Sequence, residues 1–120
     1  MPRAPRFPFE ARPGLMEIPI TTVRWLETNF PAGGGGYFRL LPYCMSRWLI
    51  KSINRIDARP AIFYLHPWEL DPGQPVVRNT SFKTRFRHYV NLDRTESRLR
   101  RLLGEFRWDR MDRVFLSQPQ

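Results

Sequence analysis

The apolar positions of this chain follow two different periods. Met45, Trp48, Leu49, Ile53 and Ile56 recur at helical spacing, with Arg47, Lys51 and Arg55 on the other side. Pro42 suits a first helical turn, so the pattern predicts an amphipathic helix from Leu41 to Ile56 whose aromatic stripe faces a core. A second helix is predicted from Asn91 to Phe106. Its buried stripe is Leu99, Leu102, Leu103 and Phe106, and Thr95 is its candidate N-cap, with Leu92 just ahead. Arg94, Glu96, Arg98, Arg100, Arg101 and Glu105 then form a solvated face. Ala61 to Leu65 (AIFYL) is a continuous apolar run, as in a strand buried on both faces of a parallel sheet. Met16 to Val23 (MEIPITTV) is also β-rich, although Pro19 cannot donate to a ladder. Met111 to Leu116 reads as a short strand or a packed tail.

Polar and irregular stretches separate these elements. Residues 1–14 hold four prolines and three arginines and read as an extended lead-in, ahead of a single domain over 15–116 and a tail over 117–120. Gly33 to Gly36 form a loop that permits positive φ or the close approach of a ligand or backbone. No Gly-Lys-Ser/Thr follows, so it is not a P-loop. Asp71-Pro72-Gly73-Gln74-Pro75 breaks the chain. Arg78 to Tyr89 interleaves Arg78, Lys83, Arg85 and Arg87 with Phe82, Phe86 and Tyr89. That segment could stack on sugars or bases and pair with anions; equally, its aromatics could pin a surface loop to the core. Strands alternating with helices point to an α/β fold.

Composition narrows the function classes. A hydrophobic content of 42% with 14% aromatic residues is enough for a packed core. The net charge of +9 invites a nucleic-acid reading, but it is spread along the chain, and only Lys51 and Lys83 among the 20 basic residues are lysine. Nucleic acid is therefore not the expected partner. No apolar run approaches the ~20 residues of a membrane-spanning helix, and MPRAPRFPFE has no apolar signal core. A lone Cys44 fits a reducing, cytoplasmic setting.

Candidate chemistry gathers where the apolar run AIFYL meets His66, Pro67, Trp68, Glu69 and Asp71. In α/β folds function collects beyond the carboxyl ends of strands. Histidine, with an ordinary pKa of ~6.5, can hold a proton and give it up near neutrality, as a general acid must. A core histidine or a hinge into the Pro67 turn would use the same residue without chemistry. Glu69 and Asp71 do not complete a metal triad with His66, because Pro67 and Pro72 oppose the helix that would converge them. No Gly-x-Ser-x-Gly occurs, and Cys44 has no evident base.

Four blocks carry a family resemblance: Leu15 to Thr22, Gly34 to Tyr43, Phe63 to Asp71 and Arg85 to Tyr89. In this order, and over Ala4 to Phe106, they resemble the C-terminal domain of unknown function of NodB-type polysaccharide deacetylases, in the subgroup linked to exosortase-associated exopolysaccharide clusters. The resemblance implies the C-terminal portion of a distorted (β/α) barrel. It also implies N-deacetylation of a carbohydrate polymer by an enzyme with a divalent metal, zinc by expectation. His66 matches the late histidine that protonates the leaving amine. Gly34, Gly35, Gly36, Tyr37, Arg39 and Trp68 are expected to line the substrate.

The family's Thr-Phe-Asp-Asp motif and His-x-x-x-His metal pair are absent from this chain. Arg39-Leu40-Leu41-Pro42-Tyr43 has one residue too many for the Arg-x-Pro-Tyr motif, and that role is not transferred. The expectation is half a site, from a truncated gene, an alternative start or an excised domain. It holds no cofactor of its own and is inactive alone, and its partners are an N-acetylated polysaccharide and a missing N-terminal catalytic half. One alternative is a binding module for an anionic polysaccharide or single-stranded nucleic acid, using Arg78, Arg85 and Arg87. Another is a structural domain that completes a partner's barrel.

Overall fold

The structure is a computed structural model that describes residues 5–116. The first four residues and the 117–120 tail lie outside the described residues. Two antiparallel hairpins come first. β1 (Phe9–Arg12) pairs with β2 (Leu15–Glu17), and the register shifts between Glu10 and Arg12. Pro13-Gly14 turns the chain, with Gly14 at φ 77° and its N–H bonded to Glu10 Oε1 at 2.8 Å. The expected lead-in thus contains a strand: a Pro-Gly turn between two short β-capable runs outweighs the prolines around it.

β3 (Thr22–Trp25) pairs with β4 (Thr28–Pro31) through a two-residue turn in which Leu26 and Glu27 have φ 43° and 69°. The β-rich run expected over Met16 to Val23 is split between β2 and β3, with Pro19 in the gap.

Helices build the rest. α1 (Gly35–Leu40) leads into α2 (Tyr43–Arg55), for which Pro42 is the N-cap residue at φ −55° and ψ 141°. The expected span of α2 holds to within two residues, but its buried face is turned. Tyr43, Ser46, Leu49, Ile50 and Ile53 are buried, whereas Met45, Trp48 and Ile56 are exposed. Trp48 instead lies beside Trp25 of β3, with ring centroids 6.2 Å apart. α3 (Phe82–Tyr89) forms where the sequence suggested an irregular segment; Ser81 caps it by accepting from the Thr84 N–H at 3.3 Å.

α4 (Leu92–Glu105) begins at Asn91, in left-handed geometry, rather than at Thr95. Thr95 is fully buried inside the helix and donates to the Asn91 carbonyl at 2.9 Å. Leu102 is buried as expected, while Leu103 is exposed. Met111–Phe115, expected as a short strand or a packed tail, is a short helix, α5, with Val114 and Phe115 half-buried.

The core has two adjoining parts. Phe38, Tyr43, Ile50 and Leu102 form one, and Ala32, Leu49 and Ile53 the other, with Ala61 packed against both. Ala61 to Leu65 is not a sheet strand. It makes one parallel bridge, Gly34 to Tyr64, with Tyr64 N–H donating to Gly33 O at 2.8 Å and Gly35 N–H to Tyr64 O at 3.0 Å. The fold is mixed α/β with two two-stranded antiparallel sheets, and neither a barrel nor a parallel sheet occurs among the described residues. Among those residues no helix is long and apolar enough to cross a membrane.

Candidate functional site

α1, the segment from Tyr64 to Glu69, and α3 meet around a cleft of about 700 Å³. A buried ion pair fastens them together. Arg39 Nε donates to Glu69 Oε1 at 3.0 Å, and each residue is 2% exposed. Arg39 Nη1 donates to the carbonyls of His88 and Val90 at 2.9 and 3.1 Å, and Nη2 to that of Arg87 at 3.2 Å. The last carbonyls of a helix have no partner within it, so one guanidinium both ends α3 and fixes it to α1. The second oxygen of Glu69 accepts the His66 N–H at 2.7 Å, and Glu69 N–H donates to His66 O at 2.9 Å. This reciprocal pairing closes a 3₁₀ turn over Pro67–Leu70. Pro67 confines the residue before it to extended geometry, and His66 sits at φ −93° and ψ 146°.

The glycine run serves close approach rather than positive φ; Gly14 is the positive-φ glycine among the described residues. A Cβ on Gly35 would lie 2.6 Å from Glu69 Oε1, and one on Gly33 would overlap the Ile62 carbonyl oxygen. Gly34 packs beneath the Tyr64 ring, where a Cβ would meet the hydroxyl at 3.1 Å. These contacts bring the 61–69 segment onto the start of α1.

Aromatic rings form the facing wall. His88 stacks on Trp68 with centroids 4.1 Å apart and planes 10° apart, and His66 lies nearly parallel to Trp68 at 6.1 Å. Tyr64 turns its edge to His66 at 6.0 Å, and Arg39 Cζ lies 5.0 Å from the Trp68 centroid. His88 Nε2 is 3.3 Å from Gln74 Oε1.

Of the residues expected at a site, Gly35, Gly36, Tyr37, Arg39, His66 and Trp68 all border this cleft. Gly34 lies behind it, against Tyr64. His66 and Tyr37 are exposed, whereas the guanidinium of Arg39 is engaged by protein groups. Lys83 and His88 also border the cleft and are not singled out as site residues by the sequence; Arg87, named there only for the alternative binding module, borders it too. They arrive on α3, whose one local signal is the Ser81 cap. Among the described residues no three His, Cys, Asp or Glu side chains come together to hold a metal ion. Glu69, which accepts the His66 N–H, has both oxygens engaged. These residues do not fit a metal.

Fold and site together define a small mixed α/β domain that carries a cleft with aromatic and cationic walls. The chain belongs to the family described as a domain of unknown function (DUF3473), whose model matches residues 1–116. No curated protein and no solved structure matches it.

Proposed function

We propose that this chain is the C-terminal part of a polysaccharide deacetylase, contributing a general acid and one wall of a substrate cleft to a site completed by another segment or polypeptide. The observation that carries the reading is the convergence of exposed His66 with Gly35, Gly36 and Tyr37 on one ~700 Å³ cleft, a size within the range of small-ligand sites. Amide hydrolysis adds water to the acetyl carbon and then breaks the C–N bond. The departing sugar amine must gain a proton as that bond breaks, because an amide anion is a poor leaving group. An imidazolium at His66 would give that proton to the nitrogen, and acetate would leave with the water oxygen. The backbone of His66, held through its N–H by Glu69 and by Pro67, limits where the ring can point.

A second feature supports completion from outside. The N–H and C=O of Tyr64 face Gly33 to Gly35, so those of Phe63 and Leu65 face the other way along an extended run. Among the described residues neither Phe63 nor Leu65 has a main-chain hydrogen bond. An apolar extended segment with one open edge is a place for another strand to pair. The missing base and metal ligands would enter with that partner.

The test measures acetate released from an N-acetylated oligosaccharide. This chain alone should release none, whether or not divalent metal is added. An assembly that also supplies an aspartate pair and a His-x-x-x-His segment should be active. In that assembly His66→Ala should slow release by about 10²–10⁴-fold. A wild-type rate in the variant would remove the general-acid role, and activity of the isolated chain would overturn the half-site reading.

A further inference from the structure

The cleft is unbalanced in charge. Its one bordering carboxylate, Glu69, is neutralised by Arg39. Lys83 and Arg87, four residues apart on α3, both border the cleft and are exposed. Residues four apart share a helix face, so the two cations stand one turn above each other on the same wall. Neither has a carboxylate partner among the described residues. Some arginines elsewhere pair with carboxylates, as Arg6 does with Asp57, Arg47 and Arg101 with Glu105, and Arg100 with Glu96, whereas Lys83 and Arg87 border the cleft without one. Two cations without carboxylate partners, beside a concave and partly aromatic surface, favour an anionic group there.

We infer that the cleft receives an acidic sugar unit, its anionic group held by Lys83 and Arg87 and its ring lying against the Tyr64 and His66 edges. The substrate class is then an acidic N-acetylated glycan, bearing a carboxylate or a phosphate ester. The N-acetyl part of this inference rests on the deacetylase reading; the anion preference does not. Sugar rings present C–H faces that pack on aromatic side chains, and Tyr64 is 42% exposed at the cleft. A guanidinium can grip a carboxylate or phosphate through two parallel N–H bonds, and the lysine adds a point charge.

The experiment is calorimetric titration of the 120-residue chain with four probes of matched length: a neutral N-acetylated oligosaccharide, one carrying uronate carboxylates, one carrying phosphate esters, and a single-stranded oligonucleotide. At least one acidic oligosaccharide should bind more tightly than the neutral one, and which one does so identifies the anion. The Lys83→Ala/Arg87→Ala variant should lose about tenfold or more for that ligand, while neutral-ligand affinity stays unchanged. Both side chains are exposed and unpaired, so circular dichroism of the variant should match wild type. Equal affinity for neutral and acidic sugars, no binding of either acidic sugar, or an unchanged affinity in the double variant would overturn the inference. So would tighter binding of the oligonucleotide. Acidic-sugar binding without acetate release by the complete assembly would leave the anion site standing and remove the deacetylase reading. The reverse pattern would do the opposite.

Discussion

Arg39 and Glu69 form an ion pair at 3.0 Å with both side chains buried, joining α1 to the turn that carries His66. Their remaining polar atoms are spent on the end of α3 and on the His66 N–H, so the pair is the joint at which three walls of the cleft meet. Removing one member strands the other charge in the interior. Glu69→Ala should therefore cost about 3–5 kcal/mol, a large share of a small domain's stability. Urea denaturation measures it. A midpoint unchanged from wild type would mean that the pair is not what holds the cleft together.

Gly35 and Gly36 are neighbours with opposite tolerance. A Cβ on Gly35 meets the Glu69 carboxylate, which cannot yield because both its oxygens are bonded, whereas a Cβ on Gly36 meets nothing within 4 Å. Gly35→Ala should destabilise by about 1–3 kcal/mol as an overpacked contact. Gly36→Ala, near the start of α1, should be neutral or stabilising by up to about 1 kcal/mol. Thermal melts of the two single variants decide the matter; equal melting temperatures would contradict the close-approach account.

The two long helices were legible because their apolar periods are bounded by local signals. Pro42 marks one start, and the run to Phe106 marks the other end. Their orientation was not legible. Met45 and Trp48 fit a helical stripe as well as Ser46 and Ile50 do, and only packing against the rest of the chain selects the buried side. AIFYL is not the doubly buried strand its apolar run suggests, because a sheet strand needs a neighbour and among the described residues only Gly34 bridges to it, through Tyr64. α3 was missed because what secures its end is Arg39, about fifty residues away in sequence. The same distance hid the place of Lys83 and His88 at the cleft and left Arg87 legible only as part of an alternative binding module, while the Gly33–Gly36 run and His66-Pro67-Trp68-Glu69 stood out as unusual residues in short stretches.

Tyr43 gives a pH test remote from the cleft. Burial comes first and the hydrogen bond to Glu105 second in pushing its phenol from 10.0 up to about 12. Between those values the unfolded chain releases the proton and the folded chain keeps it. Stability contributed by the neutral phenol is thus fully present below pH 10 and is lost as pH rises toward 12. Tyr43→Phe should flatten this part of the stability–pH curve. Ultraviolet titration of the variant should also lose one ionisation near pH 12. Glu105 works in the other direction: the hydrogen bond from Arg101 holds its carboxyl below the ordinary range, so its contribution is lost as pH falls through that depressed value.

Arg98 and Arg100 lie on the α4 face that the sequence marks as solvated, yet they do different things. Arg98 Nη1 reaches the carbonyls of Phe38, Arg39 and Leu41 at 3.3, 3.1 and 3.2 Å, where α1 ends and its last carbonyls lack helical partners. Arg100 pairs with Glu96 one turn earlier on an exposed surface, its side chain 77% accessible. A charged donor on half-buried carbonyls is worth about 1.5–3 kcal/mol, whereas an exposed helical pair contributes about 0.3–0.5 kcal/mol. Arg98→Ala should shift the urea midpoint clearly and Arg100→Ala barely. Salt should separate them too, because 1 M salt screens the exposed pair and leaves the α1 contact largely intact. Two arginines of equal effect would mean that α4 is held to α1 by its apolar stripe alone.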